Sequence, residues 1–151
     1  MEIIREMRQL ASEDPASPIR MLINSGGGEV VSGMAIYDTM QMLPCPVHTV
    51  CVGEAASMAS LLFAAGKKRM ILPSANIMIH DPLIGNLGGS ALSVDAVANR
   101  LMQTRRNVAE IMAQHTGHTT EEILEKTSKD TWFSAQEAVD FGLADEIVTS
   151  W

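Results

Sequence analysis

The sequence predicts an α/β protein in which helices cover a mostly parallel sheet. Helical and extended patterns alternate along most of the chain. The extended segments are short, nearly continuous apolar runs such as residues 47–52, which is typical of strands buried on both faces. The 151 residues have 46% apolar content, enough for one domain with a buried core. We therefore predict a single domain over residues 1–151.

Two helices in the first part of the chain have amphipathic spacing, and each stops at a proline. The first ends before Pro15 and the second at Pro44, because proline cannot continue a helix. A buried strand over residues 20–24 lies between them. The residues expected to face the core are Ile3, Ile4, Met7, Leu10 and Ala11 in the first helix, and Val30, Val31, Met34, Tyr37 and Met40 in the second.

The remaining elements follow from apolar runs and capping signals. A strand over 47–52 leads into a helix over 57–65, and strands over 69–72 and 75–79 follow. Two capping boxes each open a short helix, and Gly142 ends the last one before a terminal strand over 143–148. The capping boxes are Thr119 with Glu122 and Ser134 with Glu137.

A long amphipathic helix is predicted over residues 93–116, after a segment over 82–92 that is too rich in glycine for a core. A helix of this length exceeds what one small sheet can cover, so we expect it to project and to pack against another subunit. Its apolar side consists of Val94, Val97, Leu101, Val108 and Met112.

Charge and composition exclude several functions. The net charge of −7 argues against binding to nucleic acid or to an acidic membrane. The chain has no apolar run of 18 residues and no secretory signal pattern, so a cytoplasmic protein is expected. Cys45 and Cys51 are expected to be reduced, packed thiols. No spacing of ligands predicts a metal site.

Ser57 places a hydroxyl at a predicted turn from strand to helix, among the small residues of Gly53-Glu54-Ala55-Ala56-Ser57. A nucleophile gains from this position, because the first amides of the helix face any oxyanion that forms. The alternative is a serine that only caps a buried helix. Taken alone, the local sequence leaves both interpretations open.

Two further segments could complete this chemistry. Ser25-Gly26-Gly27-Gly28 follows a strand and suits an oxyanion hole or a peptide cradle, or else a flexible turn. His80 ends an apolar strand, where it is either a base or an ordinary loop residue. Asp81 adjoins it, but adjacent residues of an extended chain point apart. His48 looks structural, as do His115 and His118, which flank a helix end that favours cations.

Five segments in order resemble the proteolytic subunit of the Clp protease, a family of serine peptidases. The resemblance covers nearly the whole chain. It implies repeated β-β-α units, as in the Clp protease and crotonase folds, with a projecting handle over about 82–116. The segments are Ile23-Asn24-Ser25-Gly26-Gly27-Gly28, residues 34–41, Gly53-Glu54-Ala55-Ala56-Ser57-Met58-Ala59, Met78-Ile79-His80-Asp81-Pro82 and residues 134–145.

The resemblance implies roles for individual residues. Ser57 matches the nucleophile, His80 the general base and Asp130 the acid that orients the histidine. The amides of Gly28 and Met58 match the oxyanion hole. The matching substrate-binding positions are Gly27, Gly28, Pro82 and Leu83.

The resemblance also implies partners. Two seven-subunit rings would stack through the handle into a tetradecamer, whose chamber admits unfolded polypeptides delivered by an AAA+ Clp unfoldase. We expect no metal and no cofactor, because only the unfoldase uses ATP. Neither nucleic acid nor membrane is an expected partner.

Three departures from the family pattern affect these expectations. The chain resembles an N-terminally short member or a fragment, so an axial pore would be less tightly gated. Gly26 replaces the usual proline of the loop, which lowers its preorganisation. Ser128-Lys129 replaces an acidic-basic pair that links ring contacts to the site.

Three alternative functions stay open at this stage. A catalytically silent subunit of a mixed ring would keep the fold but lose members of the triad. An acyl-CoA enzyme of the crotonase type would share the fold without needing Ser57, His80 and Asp130. A serine–lysine signal-peptide peptidase would use Lys67 or Lys68 as the base.

Overall fold

Helices and strands alternate for most of the chain, as the sequence predicts. A computed structural model describes residues 1–85 and 87–150. Its elements are α1 (Glu2–Glu13), β1 (Ile19–Ser25), α2 (Val30–Met42), β2 (Val47–Ala56), α3 (Met58–Ala64), β3 (Lys68–Ile71), β4 (Asn76–Ile79), α4 (Ala91–Thr116), α5 (Thr120–Thr127), β5 (Thr131–Phe133), α6 (Ala135–Phe141) and β6 (Glu146–Ile147). Among the described residues, the strands form a six-stranded sheet in which only β4 and β5 pair antiparallel. The predicted α/β class with a mostly parallel sheet is confirmed.

β2 is the centre of the sheet because it changes partners along its length. β1 pairs with β2 over residues 47–51 and again at Ala55, whereas β3 pairs only with residues 48–51. After Gly53, residues 54–56 pair with β4 in place of β3. Gly53 has a φ of +84°, and a Cβ there would lie 2.7 Å from Oδ1 of Asn24, so only glycine suits this bend. The bend brings the carboxyl ends of β2 and β4 side by side.

α3 is the most central helix of the core. Each of its residues except Leu62 is buried. The buried hydroxyl of Thr49 on β2 donates a hydrogen bond of 2.7 Å to the carbonyl of Phe63 on α3. Because close-packed interiors resist displacement, the start of α3 is a rigid point in the fold.

The predicted inward faces of α1, β1 and α2 are wrong in part. Met7 and Ala11 of α1 and Tyr37 and Met40 of α2 are buried. Among the described strands, β1 pairs only with β2, so it lies at an edge of the sheet. α1, which packs beside β1, is therefore covered on one side only. The expected core residues that are instead exposed are Ile3, Leu10, Leu22 and Val31.

α4 begins at Ala91, earlier than predicted, because Ser90 caps it by accepting a hydrogen bond from the amide of Ser93. Its only buried residues are Ala109, Met112 and Ala113, all in its second half. Val97, on the apolar side that we expected to pack against another subunit, is 43% exposed. The first half of α4 therefore has an uncovered apolar surface, which also includes Leu92 and Met102.

The C-terminal elements differ from prediction in two strands. Both capping boxes are present, and Gly142 ends α6 with a φ of +94°, as predicted. The last strand is limited to Glu146–Ile147. β5 was not predicted, because a strand of three residues is too short to show a period.

Two composition-based expectations can be compared with the fold. Cys45 and Cys51 are buried and unpaired, which confirms packed, reduced thiols. Burial, helped by the nearby Glu54, raises the pKa of Cys51 to about 12. Among the described residues, no helix is both long enough and apolar enough to cross a membrane.

Candidate active site

Ser57 occupies a sharp turn between β2 and α3. Its φ of 56° is the only positive value among the described residues that are not glycine. Its N–H donates to the carbonyl of Met78 at 2.9 Å, and its own carbonyl accepts from the amide of Ser60 at 3.0 Å. The Ser60 hydroxyl also donates to that carbonyl, at 2.5 Å. These bonds hold a strained backbone of the kind that exposes a nucleophile.

The hydroxyl of Ser57 does not cap α3. It makes no capping hydrogen bond, and its Oγ instead lies 2.7 Å from Nε2 of His80. The capping interpretation is therefore wrong. The backbone bond to Met78 explains the contact, because it places Ser57 beside the end of β4, where His80 follows Ile79.

Antiparallel pairing of β4 with β5 brings Asp130 to His80. Ile79 pairs with Thr131. Because the strands are antiparallel, His80, which follows Ile79, faces Asp130, which precedes Thr131. Nδ1 of His80 lies 3.1 Å from Oδ1 of Asp130. This pairing depends on β5, so the local sequence pattern alone did not indicate it.

The contacts of His80 determine its tautomer. A carboxylate only accepts hydrogen bonds, so Nδ1 carries the proton and donates to Asp130. Nε2 then has a free lone pair and accepts the hydroxyl proton of Ser57. The His80 side chain is 14% exposed, whereas that of Asp130 is 66% exposed. The imidazole is shielded from solvent, and the carboxylate is open to it.

The glycine loop after β1 lies against Ser57. A Cβ on Gly27 would be 2.7 Å from Cβ of Ser57 and 3.2 Å from the amide nitrogen of Met58. Met58 is the first residue of α3, so its N–H has no acceptor within the helix. Neither this amide nor that of Gly28 is paired within the part of the chain that the structure describes. Both are therefore available to an external acceptor.

Two cavities flank this site. A small one of about 40 Å³ is lined by Ser57, His80 and Pro82 together with apolar side chains such as Ile79 and Met112. A larger groove of about 660 Å³ runs between α1 and β1 and reaches Gly27, Gly28 and Met58. Leu83 lies beyond both cavities and is 80% exposed.

Sequence reasoning missed Ser60 and Arg105. Ser60 supports the Ser57 turn and could have been noticed from its position one helical turn later. Asp81 turns to Arg105 rather than to His80: its Oδ2 accepts from Nε of Arg105 at 2.7 Å. Arg105 lies in the middle of α4, and no local sequence signal marks it.

The other histidines contact structural neighbours, but His115 differs from expectation. We expected a cation at the end of α4. Instead burial, with Arg69 nearby, lowers the pKa of His115 below 6.5, and the hydroxyl of Tyr37 lies 2.9 Å from its Nε2. His118 bridges Glu122 and the carbonyl of Phe141. Within residues 1–85 and 87–150, no cluster of three or more His, Cys, Asp or Glu residues could hold a metal ion.

A hydroxyl, an imidazole and a carboxylate in series, beside unpaired backbone amides, form the arrangement of hydrolases that act through an activated nucleophile. Comparison with known proteins identifies the family. The chain matches the family model described as Clp protease over residues 1–151. It therefore belongs to the Clp protease family, a family of peptidases.

Curated relatives agree with this assignment. ATP-dependent Clp protease proteolytic subunit 2 of Cutibacterium acnes is 46% identical over 147 residues, which cover 96% of this chain and 69% of that protein. The subunit 2 of Corynebacterium glutamicum is 46% identical over 142 residues, or 93% of this chain and 70% of that protein. The subunit 1 of Corynebacterium jeikeium is 43% identical over 151 residues, or 99% of this chain and 80% of that protein.

Proposed function

We propose that the protein is a serine endopeptidase in which Ser57 is the nucleophile, His80 the general base and Asp130 the residue that orients His80. The observation that carries this proposal is the continuous hydrogen-bonded series from Ser57 Oγ to His80 at 2.7 Å and from His80 to Asp130 at 3.1 Å. Family membership supports peptide bonds as the target.

The reaction follows from the contacts of these atoms. Nε2 of His80 takes the hydroxyl proton as Oγ of Ser57 attacks a peptide carbonyl, and Asp130 stabilises the imidazolium that results. The amides of Gly28 and Met58 donate to the oxyanion, which is worth about 3 kcal/mol for each donor. His80 then protonates the leaving amine. Water, activated by the same imidazole, releases the acyl group from Ser57.

The substrate class in this proposal is an extended, unfolded polypeptide. Gly27 and Gly28 line the larger groove, and Pro82 lines the small cavity with Ser57 and His80. In this proposal a substrate backbone passes the nucleophile between them, and the exposed Leu83 next to Pro82 extends the contact. Backbone contacts hold a chain with little regard to its sequence. The small cavity beside Ser57 is lined mostly by apolar side chains, with Asp81 and Arg105 among the others, and it favours a small apolar side chain next to the cleaved bond.

We also propose an assembly for this domain, with residues 1–151 as one protease domain and residues 82–116 as its handle. The uncovered apolar half of α4 supports burial against another copy. Stacked heptameric rings would then enclose a chamber in the cytoplasm. The relatives are named as proteolytic subunits of an ATP-dependent protease, which supports a partner AAA+ unfoldase that uses the ATP.

Reaction with a fluorophosphonate tests the proposed chemistry. We expect one adduct, on Ser57, and its loss in His80→Ala. An unlabelled wild-type protein would favour a silent subunit or an acyl-CoA enzyme. Labelling that needs Lys67 or Lys68 rather than His80 would favour a serine–lysine peptidase.

Mass in solution tests the assembly separately. Gly89→Asp combined with Val97→Asp should split the stacked rings. A fully active wild-type monomer would contradict the assembly.

A further inference from the structure

Asp81, the residue after His80, is bonded to two helices that surround the triad. Successive side chains of an extended segment point in opposite directions, so Asp81 meets different elements from those that His80 meets. Its Oδ2 accepts from Nε of Arg105 on α4 at 2.7 Å. Its backbone N–H donates to the carbonyl of Thr127 at the end of α5 at 2.8 Å. The end of β4 is thus bonded to both helices at one residue.

Arg105 closes this network on α5. Its Nη2 donates to the carbonyl of Leu124 at 3.3 Å. The side chains of Arg105 and Asp81 are 24% and 33% exposed, whereas those of the neighbouring pair Arg106 and Glu110 are 52% and 51% exposed. A charge-assisted bond that is shielded from water holds a defined geometry better than an exposed ion pair does.

The network joins the two segments that carry the base and the acid. Asp81 immediately follows His80, and α5 ends at Thr127, shortly before Asp130. We infer that Asp81 and Arg105 are positioning residues, which keep the imidazole within hydrogen-bond distance of both Ser57 and Asp130. This inference rests on the proposed function.

The second oxygen of Asp81, Oδ1, is buried and accepts no hydrogen bond from the described residues. Asp81 also lines the small cavity beside Ser57 and His80, which is large enough to hold a water molecule. The contact that defines the geometry of the network is therefore the bond from Arg105 to Oδ2.

Four variants test the inference: Asp81→Ala, Arg105→Met, their double mutant, and Asp81→Asn, which keeps an acceptor for Arg105. Arg106→Met is the matched control, because Arg106 is the next residue of α4 and pairs only with exposed acids. Two readouts are needed. The rate of inactivation by diisopropyl fluorophosphate, a small probe, reports activation of Ser57, and a fluorogenic peptide gives kcat and KM separately.

We expect Asp81→Ala and Arg105→Met each to lower the inactivation rate and kcat roughly 10-fold, because small misplacements of a catalytic group are costly. KM should change less than about two-fold for a peptide with glycine next to the cleaved bond, which leaves the small cavity lined by Asp81 and Arg105 unfilled. The double mutant should be no slower than the slower single mutant, because both changes remove one interaction. Asp81→Asn should restore most of the rate, and Arg106→Met should match the wild type.

The inference would be overturned by wild-type rates in Asp81→Ala, by independent and multiplying losses in the double mutant, or by an equal loss in Arg106→Met. A lower melting temperature with unchanged rates would also overturn it, since that result means a merely structural pair. If Asp81→Ala fails to fold, the inactivation rates and kcat values of Asp81→Asn and Arg105→Lys are compared with those of the wild type instead. Failure of the proposed function looks different, because the wild-type protein would then not react at Ser57.

Discussion

Gly27 lies so close to Ser57 that a Cβ at position 27 would be 2.7 Å from Cβ of Ser57 and 2.8 Å from the carbonyl of Ala56. Its φ of +102° is also one that other residues rarely adopt. The glycine loop therefore packs against Ser57 with no room for a side chain at position 27. The sequence pattern indicated an oxyanion hole, a peptide cradle or a flexible turn, and the structure shows this close packing.

Gly27→Ala should lower peptidase activity at least about 10-fold, because the new methyl group must push Ser57 or the loop out of place. Gly26→Ala is the matched control, since a Cβ there meets only Oε1 of Glu54, at 3.6 Å. Initial rates on a fluorogenic peptide compare the two. Equal activity of both variants would show that the loop tolerates the displacement.

Arg69→Met should lower the free energy of unfolding by about 3 kcal/mol, because it leaves charge-assisted bonds unmade in a shielded site. Arg69 donates to both carboxylate oxygens of Asp145 and to the carbonyls of His115 and Gly142, at 2.7 to 3.2 Å. It therefore joins the ends of α4 and α6 to β3. Urea unfolding measures the loss.

Lys68→Met is the control for Arg69→Met. Lys68 pairs with Glu146 at 3.1 Å, but both side chains are about half exposed, so its loss should cost less than about 1 kcal/mol. Similar losses in the two variants would mean that the Arg69 network does not join these elements.

His115→Gln should flatten the dependence of stability on pH. Burial and Arg69 keep the pKa of His115 below 6.5 in the folded state, whereas the unfolded imidazole gains a proton near its ordinary value. The unfolded state then binds more protons, so the free energy of unfolding falls as pH drops through about 6.5. Glutamine can still accept from Tyr37 but does not titrate. Urea unfolding between about pH 7.5 and 5.5 measures the slope, and an unchanged slope would contradict this assignment.

Peptidase activity on short peptides should not change with EDTA and should not require ATP. The proposed chemistry uses only side chains and backbone amides, and the loop at residues 25–28 is not followed by the Gly-Lys-Ser/Thr sequence of a phosphate loop. Activity assays with chelator, and with and without nucleotide, check this. Loss of activity with EDTA that a divalent ion restores would reveal a metal site.

Local signals in the sequence predicted most of the fold. Prolines, capping boxes and apolar runs depend on neighbouring residues, and they placed the helices and most strands correctly. β5 was missed because it is stabilised by pairing with β4, which leaves no local period. The exposure of Leu22 and Val31 was missed because a pattern shows which residues are apolar, and only the packed fold shows which are covered.

The candidate site could be predicted to a different extent for each residue. The turn at Ser57 and the strand end at His80 are visible in the sequence, but each had an ordinary structural alternative. Asp130 was indicated only by the resemblance. The contact of Asp81 with Arg105 joins residues 24 positions apart on separate elements, so no spacing rule could have found it.

The most direct test of the serine peptidase proposal is the rate at which purified Ser57→Ala hydrolyses a short fluorogenic peptide. The account predicts a loss of several powers of ten, because binding and oxyanion stabilisation alone remain. Circular dichroism and mass in solution should match those of the wild type. The control is Ser12→Ala, because Ser12 is exposed on α1. Near wild-type turnover by Ser57→Ala would contradict the account.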